Sequence, residues 1–344
     1  MMSEAPADLR SGIRVRVSEQ TIALFEDALV WDMTLPWIVG YTDEDVTLPR
    51  FKDAGVNFAS LTVNDFPGSL GGTVRQIAAV TRHVEERAET MVLVKSVDEI
   101  RQAKKDGKLA LAFNLQETNP LEGEVDFVQT YYALGVRHML MAYNQKNRVG
   151  DGCAERTDAG LSRFGVRVVQ EMNHVGMLVD GTHTGYRTTM DAMEASSAPF
   201  IFSHCLAHAV HPHYRNLRDD QIKACAKTGG VIGVNGVGFF LEDEEASSEA
   251  VVRHIDHMAG LVGPEHIGIG LDYCRDTKHI AAWTLTNTDM WPPNDGKPFG
   301  ETAFVQPEQL LEIADILLSR QYSETDVRGI LGENFARVAS QVWK

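Results

Sequence analysis

Short apolar segments alternate with helical patterns along the whole sequence, and this alternation constrains the fold more than any other feature. The segments are almost continuously apolar, which is typical of strands that are buried on both faces of a parallel sheet. Eight of them are predicted strands, at residues 28–34, 57–63, 109–116, 137–143, 177–180, 200–203, 231–235 and 267–271. A further short run at residues 91–94 is either a ninth strand or an edge strand.

Amphipathic patterns between these strands predict helices. They cover residues 77–87, 97–105, 165–174, 219–227, 250–261 and 307–318. About eight strand–helix units in 344 residues favour a closed (β/α)8 barrel, a TIM barrel, although periodicity alone leaves a doubly wound open sheet as an alternative.

No linker or low-complexity segment divides the sequence, so residues 1–344 are predicted to form a single domain. Residues 274–302 show no regular pattern and predict a long irregular loop after the last strand. In a barrel such a loop lies over the catalytic face, where it is either a lid or a surface excursion.

Composition excludes several classes of partner. A net charge of −16 argues against nucleic acid and against an anionic membrane surface, because both bind basic proteins. The N-terminal segment has no apolar run typical of a signal peptide, no stretch reaches about 18 apolar residues, and no hydrophobic C-terminal tail follows. We therefore expect a cytoplasmic protein without membrane contact and with reduced cysteines, whose partner is a small molecule. Whether it forms a homo-oligomer is left open.

Polar side chains stand at the ends of the predicted strands, where barrel enzymes place their reactive groups. Two histidines, His183 and His204, follow neighbouring apolar strands, and Asp272 follows the last one. Two histidines with a carboxylate at one edge of a sheet form a candidate metal site or acid–base site. Other strands end in Asp32, Thr34, Asn114, Gln116, Glu117, Tyr143 and Asn144.

Four segments carry a specific resemblance. LVDGTHTG surrounds His183, FSHCLAH surrounds His204, HYRNLRDDQI contains Arg215, and IGIGLDYC contains Asp272. These segments resemble the membrane (renal) dipeptidase family, which belongs to the amidohydrolase superfamily of (β/α)8 barrels. The resemblance implies that His183 and His204 bind metal, that Arg215 holds the substrate carboxylate, and that Asp272 is a general base or a metal ligand. Asn144 is predicted to contact substrate.

The same comparison shows three departures from the family pattern. The family's His-x-Asp on the first strand corresponds to Asp32-Met33-Thr34, and its bridging glutamate corresponds to Gln116. Strand alternation places Gln116 on the inner face with Asn114 and turns Glu117 away from it. A substrate-contacting histidine of the family corresponds to Tyr143, whose hydroxyl could polarise a carbonyl oxygen.

These departures change the expected metal content. A neutral amide is a poor bridge between two cations, so a binuclear centre with Asp32 and Gln116 as ligands is doubtful. We expect one zinc ion per chain on His183 and His204, with Asp272 or Asp32 as the third ligand. A site without metal remains an alternative.

The leading functional hypothesis is a metal-assisted hydrolase of a small amide with a free carboxylate, such as a dipeptide or an N-acyl amino acid. Asp272 and Tyr143 are its expected catalytic residues. One alternative is a barrel that binds a small molecule without hydrolysing it. Another is a metal-free acid–base enzyme that uses Asp32, His183 and Asp272.

Overall fold

Nine parallel strands form the centre of the molecule. The structure is a computed structural model, and it describes residues 17–37, 44–64 and 68–344. In chain order the strands are β1 (Trp31–Pro36), β2 (Phe58–Thr62), β3 (Met91–Leu93), β4 (Leu109–Leu115), β5 (Val136–Leu140), β6 (Leu178–Asp180), β7 (Ile201–Cys205), β8 (Val231–Val234) and β9 (Ile267–Ile269).

Helices follow the strands and surround the sheet. They are α1 (Glu19–Asp27), α2 (Glu44–Asp53), α3 (Leu70–Glu85), α4 (Val97–Lys105), α5 (Phe127–Ala133), α6 (Arg163–Val175), α7 (Tyr186–Ala195), α8 (Asp219–Lys227), α9 (Gly238–Leu241), α10 (Ser248–Val262), α11 (Thr277–Thr286), α12 (Gln309–Ser319), α13 (Glu324–Arg328) and α14 (Asn334–Val342). None of the described helices is both long and apolar enough to cross a membrane.

The strand order defines the barrel. Neighbouring strands pair in the sequence β1-β2-β4-β5-β6-β7-β8-β9, while β3 pairs only with β4 and lies outside this path. After β9 the backbone N–H of Asp272 donates to Thr34 O on β1 at 3.1 Å, which joins the last strand to the first. The fold is thus a (β/α)8 barrel, and the predicted strands, including the ninth, are confirmed with ends shifted by a few residues.

Side chains fill the barrel interior near the N-terminal ends of the strands. Trp31 and Phe58 lie in this cluster together with Ala110, Ala112 and, from the C-terminal helix, Phe335. Gly268 admits Phe335 to the barrel, because a Cβ atom at position 268 would lie 2.4 Å from the Phe335 ring. The large residues of β4, Leu109, Leu111, Phe113 and Leu115, instead join the core cluster formed with the surrounding helices. This split is the one that alternation along β4 predicts.

Residues 274–302 differ from the sequence prediction. They contain helix α11, which begins after Asp276, whose side chain accepts a hydrogen bond from His279 N at 2.9 Å. The prediction of an irregular stretch was wrong here because the apolar residues of α11 are spread around the helix and do not form one stripe.

Candidate active site

The two strand-end histidines lie side by side at the carboxyl end of the barrel. His204 lies on β7 and His183 just after β6, and their Nε2 atoms are 3.1 Å apart. Both side chains are fully or almost fully buried. Burial, together with the nearby Arg215 cation, holds the pKa of each histidine well below its usual range, so both are neutral.

The other ring nitrogen of each histidine contacts a hydroxyl or amide group. His204 Nδ1 lies 2.8 Å from Ser203 Oγ and 3.0 Å from Thr34 Oγ1, and Thr34 Oγ1 donates to Met33 O at 2.7 Å. Both hydroxyl oxygens can accept a proton from Nδ1, and Ser203 can also donate to it. His183 Nδ1 donates to Asn144 Oδ1 at 2.7 Å.

When the protons lie on Nδ1, each ring has an unprotonated Nε2, and the two lone pairs repel each other unless a cation lies between them; when one Nε2 is protonated, the two atoms share a hydrogen bond. A tetrahedral metal ion with bonds of about 2.05 Å separates two nitrogen ligands by about 3.3 Å, close to the 3.1 Å observed. The two histidines, hereafter the His183/His204 pair, can therefore supply two ligands to one cation.

Asp272 is the carboxylate beside this pair. Its Oδ2 atom lies 4.0 Å from His204 Nε2 and accepts a hydrogen bond from Asn235 Nδ2 at 3.2 Å. Burial raises the pKa of Asp272 to about 7, against the lowering effect of the Arg215 cation. A carboxyl group with this pKa can gain and lose a proton near neutral pH, as a general base or acid must.

The backbone is strained at three of these positions. Asn144, His183 and Asp272 adopt left-handed conformations, with φ of 56°, 63° and 55° respectively. Residues other than glycine rarely adopt this conformation, and such strain is concentrated at functional sites. All three residues stand at strand ends on one face of the barrel.

Asp32 forms hydrogen bonds with backbone groups and with neither histidine. Its Oδ1 atom accepts from the backbone N–H groups of Thr34 and Leu271 at 3.1 and 3.0 Å. Its Oδ2 atom is buried without a hydrogen-bond partner among the described residues, and burial raises the pKa of Asp32 to about 7. The structure thus places Asp272, and not Asp32, closer to the His183/His204 pair.

Gln116 and Glu117 diverge at the end of β4. Gln116 lines the same cavity as Asp272 and Tyr143, and its Nε2 donates to Thr62 Oγ1 at 3.0 Å. Glu117 does not line that cavity, and its carboxylate accepts a hydrogen bond from Asn119 in the following turn.

Tyr143 and Asn144 are placed differently from each other. The Tyr143 ring stacks on His183 with centroids 4.0 Å apart and lines the cavity, and burial raises its pKa well above the usual range, so its hydroxyl stays protonated. Asn144 is fully buried and lines neither described cavity; it holds His183 Nδ1 and receives the Cys153 thiol. Asn144 thus contacts His183, and its predicted contact with substrate stays a prediction.

Arg215 lies in a separate cavity of about 420 Å³ that also includes His183. Its guanidinium is buried, donates to His204 O at 3.3 Å and lies over the Phe240 ring at 5.3 Å. Its Nε has no hydrogen-bond partner, and no described carboxylate forms an ion pair with it. A buried cation with an unused donor is a site for an anion, and Arg suits a carboxylate because its donors form a planar fork.

The larger cavity, of about 1100 Å³, has aromatic walls. Trp291 forms part of this wall and contacts both Tyr143 and His183 edge-on, each at a centroid distance of 5.8 Å. Trp291 also lies parallel to Phe240 at 6.2 Å and contacts Phe299 at 5.1 Å. Trp291 and Phe299 belong to residues 274–302, which in this way reach the site; whether they form a lid stays a prediction.

Several of these contacts were not foreseen from the sequence. Asn235 ends the predicted strand at residues 231–235, so its strand-end position was a signal for a site residue. Trp291 and Phe240 lie outside any strand end, and no local pattern places them against the histidines. Thr34 and Asn144 contact the two histidines through hydrogen bonds between residues up to 170 positions apart in the sequence.

The His183/His204 pair is the part of the donor set that fits a metal ion best, while Asp32 Oδ2 is a further buried oxygen without a hydrogen-bond partner among the described residues. No three His, Cys, Asp or Glu side chains in the described ranges are already grouped closely enough to hold a metal. The His183/His204 pair supplies two directed ligands with Asp272 beside them. At the second position of the family's centre, Thr34 already bonds Met33 and His204, and Asp32 Oδ1 bonds two backbone N–H groups.

The fold and site define a class of protein: a (β/α)8 barrel with a histidine pair and an acid–base carboxylate on its catalytic face, as in the amidohydrolases. The comparisons give the family. A family model described as membrane dipeptidase (peptidase family M19) matches residues 42–286. The chain therefore belongs to the membrane dipeptidase family.

Individual relatives agree with this assignment. The chain is 28% identical over 281 residues to an uncharacterised dipeptidase of Schizosaccharomyces pombe and 28% identical over 276 residues to a dipeptidase of Clonostachys rogersoniana. These matches cover 79% and 80% of this chain but only 62% and 66% of the two relatives, so the chain spans less than two thirds of their length.

Solved structures give the same fold. An amidohydrolase of Pseudomonas aeruginosa is 30% identical, with a TM-score of 0.84 over 94% of this chain and 99% of that one. A metallopeptidase of Rhodobacter sphaeroides, solved with a phosphinate mimic of the dipeptide L-Ala-D-Ala, is 19% identical, with a TM-score of 0.74 over 92% of this chain and 100% of that one.

Proposed function

We propose that this protein hydrolyses the amide bond of a small substrate with a free carboxylate, either a dipeptide or an N-acyl amino acid. The observation that carries the proposal is the His183/His204 pair, whose two Nε2 atoms lie 3.1 Å apart beside Asp272. The dipeptide mimic bound by the related metallopeptidase supports the choice of substrate.

His183 and His204 would hold one metal ion, which we propose is zinc, with Asp272 as the adjacent carboxylate. When bound, zinc polarises a carbonyl group and lowers the pKa of a water molecule to near neutrality. Asn144 would accept the Nδ1 proton of His183, and Ser203 and Thr34 that of His204, which leaves both Nε2 atoms available as ligands.

The other roles follow from charge and burial. Asp272 takes the proton of the attacking water and passes it to the leaving amine, for which a pKa of about 7 is well matched. Tyr143 stays protonated and donates to the carbonyl oxygen as negative charge develops there. Arg215 binds the substrate carboxylate through donors that no described carboxylate occupies.

Removal and return of metal tests the proposal. The protein is treated with a chelator, assayed on dipeptides, N-acyl amino acids and the matching carboxamides, and then assayed again after addition of zinc. We expect activity on the free acids alone, its loss with the metal, and its return with zinc. Full activity after complete demetallation would contradict the proposal, and binding without turnover would favour a non-catalytic barrel.

A further inference from the structure

A chain of hydrogen bonds runs through the upper barrel from Asp180 to Gln116. His138 joins Asp180 Oδ2 through Nδ1 at 3.0 Å and Ser60 Oγ through Nε2 at 2.8 Å. Asn114 donates to Ser60, Thr62 donates to Asn114 Oδ1 at 3.0 Å, and Gln116 donates to Thr62 Oγ1 at 3.0 Å. Every member of this chain is buried.

The direction of the chain is fixed at Asn114. Its Nδ2 donates to the Ser60 backbone carbonyl at 3.1 Å, and a carbonyl can only accept, so the amide cannot be reversed. Asn114 Oδ1 therefore faces Thr62, and Thr62 must give its one hydroxyl proton to it. Toward Gln116, Thr62 has only lone pairs to offer.

The other end of the chain is equally constrained. A carboxylate only accepts, so His138 Nδ1 must donate to Asp180. His138 Nε2 lies 2.8 Å from Ser60 Oγ, whose hydroxyl oxygen accepts from Asn114. Both the backbone carbonyl and the hydroxyl of Ser60 thus hold the same Asn114 nitrogen.

The orientation of Thr62 determines which atom of the Gln116 amide faces the cavity. Because Nε2 is held by Thr62, the amide oxygen Oε1 is turned to the opposite side, where Gln116 lines the cavity with Tyr143 and Asp272. A glutamate in this place would bring a carboxylate oxygen against the lone pairs of Thr62. The wall of the cavity thus selects an amide at position 116 and presents a neutral acceptor to the substrate.

We propose that Gln116 Oε1 accepts a hydrogen bond from the N–H of the scissile amide, so that the site prefers amides to esters. The proposal rests on the proposed function and adds a specificity to it. An amide nitrogen carries the proton that Oε1 requires. An ester oxygen in the same position has only lone pairs, which would face those of Gln116.

A matched pair of substrates tests this preference. The amide acyl-NH-CHR-COO⁻ and the ester acyl-O-CHR-COO⁻ share every atom except the leaving nitrogen or oxygen. For Gln116→Met we expect the amide-to-ester ratio of kcat/KM to fall by about 5- to 150-fold relative to wild type, as when one buried N–H is left unpaired. Comparing ratios cancels the different intrinsic reactivity of the two bonds.

Gln309→Met is the matched control, since Gln309 is equally buried but bonds Ala246 O and Ser248 Oγ outside the described cavities. It should leave the ratio unchanged. An equal fall on both substrates for Gln116→Met would overturn the proposed specificity and leave the hydrolase function intact. Turnover of neither substrate by the wild-type protein would overturn both.

Thr62 supplies a second variant that does not alter Gln116. Thr62→Val removes the acceptor that holds Gln116 Nε2, so the ratio should fall by about 2- to 12-fold, which corresponds to one net hydrogen bond. Thr62→Ser keeps the hydroxyl and should keep the ratio. A ratio that Thr62→Val leaves at the wild-type value would show that Thr62 does not position Gln116, and would contradict the proposal.

Discussion

Thr34 stands where the family has a metal-binding aspartate, and its contacts give it a different task. Its hydroxyl donates to Met33 O at 2.7 Å and lies 3.0 Å from His204 Nδ1. A threonine in this position orients a ligand and does not act as one. The loss of the family's first histidine and aspartate is thus accompanied by contacts that stabilise the His183/His204 pair.

Asp272 is the residue on which turnover should depend most. Asp272→Asn keeps the size of the side chain and removes its ability to accept a proton, so we predict a fall in turnover of about 10²–10⁴. Turnover, metal content and melting temperature should be measured on one preparation. Loss of metal together with activity would identify Asp272 as a ligand only, and turnover within about threefold of wild type would exclude a catalytic role.

Asp32 gives a prediction for stability as a function of pH. Its pKa of about 7 in the folded protein lies above the ordinary value of 3.8, so the folded state binds a proton that the unfolded state has released. The resulting stabilisation is complete below the ordinary pKa and is lost as pH rises through 7. This effect raises the melting temperature of the metal-free protein at pH 5.5 relative to pH 8, whereas the buried histidines, whose pKa values are lowered, act in the opposite direction.

By comparison with wild type, Asp32→Asn should lower the melting temperature at pH 5.5 relative to that at pH 8, because asparagine keeps the acceptor for the Thr34 and Leu271 N–H groups and cannot ionise. The buried histidines and Asp272 are present in both proteins, so the comparison isolates Asp32. Melting curves of chelated wild type and variant at both pH values provide the test. An unchanged difference in the variant would show that Asp32 does not titrate in this range.

Among the elements, the strand ends and the last helix have separate tasks. His183, Asn144 and Asp272 lie at the strand ends in left-handed conformations. Helix α14 closes the opposite end with Phe335. Function and stability are therefore located at opposite ends of the same strands.

Asn334 should contribute to stability alone. Its Nδ2 donates to Pro264 O and Ile267 O at 2.9 and 2.8 Å, which fastens the start of α14 to β9. We predict that Asn334→Ala lowers the free energy of unfolding by about 1–3 kcal/mol, because two buried carbonyl groups lose their donor. Denaturant unfolding gives this value, while kcat/KM of the folded fraction should stay that of wild type; a large loss of kcat/KM would contradict the separation of tasks.

In the whole molecule, the contact that closes the barrel also brings the residues of the site together. The hydrogen bond from Asp272 N to Thr34 O joins β9 to β1 at the level of the histidines. It brings the last strand end beside His204, whose chain position is 68 residues earlier. A barrel that failed to close would therefore lose the carboxylate of the site.

The donors of the folded protein also predict how many metal ions it binds. We expect about one zinc ion per chain by elemental analysis, because the described donors serve one ion. Chelation should lower the melting temperature, since a ligand that binds only the folded state stabilises it. A value near two would show that Asp32 or Gln116 also binds metal, and a value near zero would favour the metal-free alternatives.

The sequence by itself located the strands and the strand ends that carry polar residues, and it favoured the barrel over a doubly wound sheet. Apolar runs and helical periods are local properties, so β4 could be placed, and alternation could separate Gln116 from Glu117, without tertiary information. The motifs around His183, His204 and Asp272 were equally local. Helix α11 was missed because its pattern is not amphipathic.

Only the tertiary structure decided how these residues meet. The sequence left Asp272 and Asp32 as equal candidates beside the histidines, and barrel closure puts Asp272 at 4.0 Å while Asp32 turns to backbone N–H groups below. The sequence likewise did not show that Asn144 holds His183, that Gln116 bonds Thr62, or that Trp291 contacts His183. Each depends on a distance between strands or loops far apart in the chain, and such distances exist only once the barrel has closed.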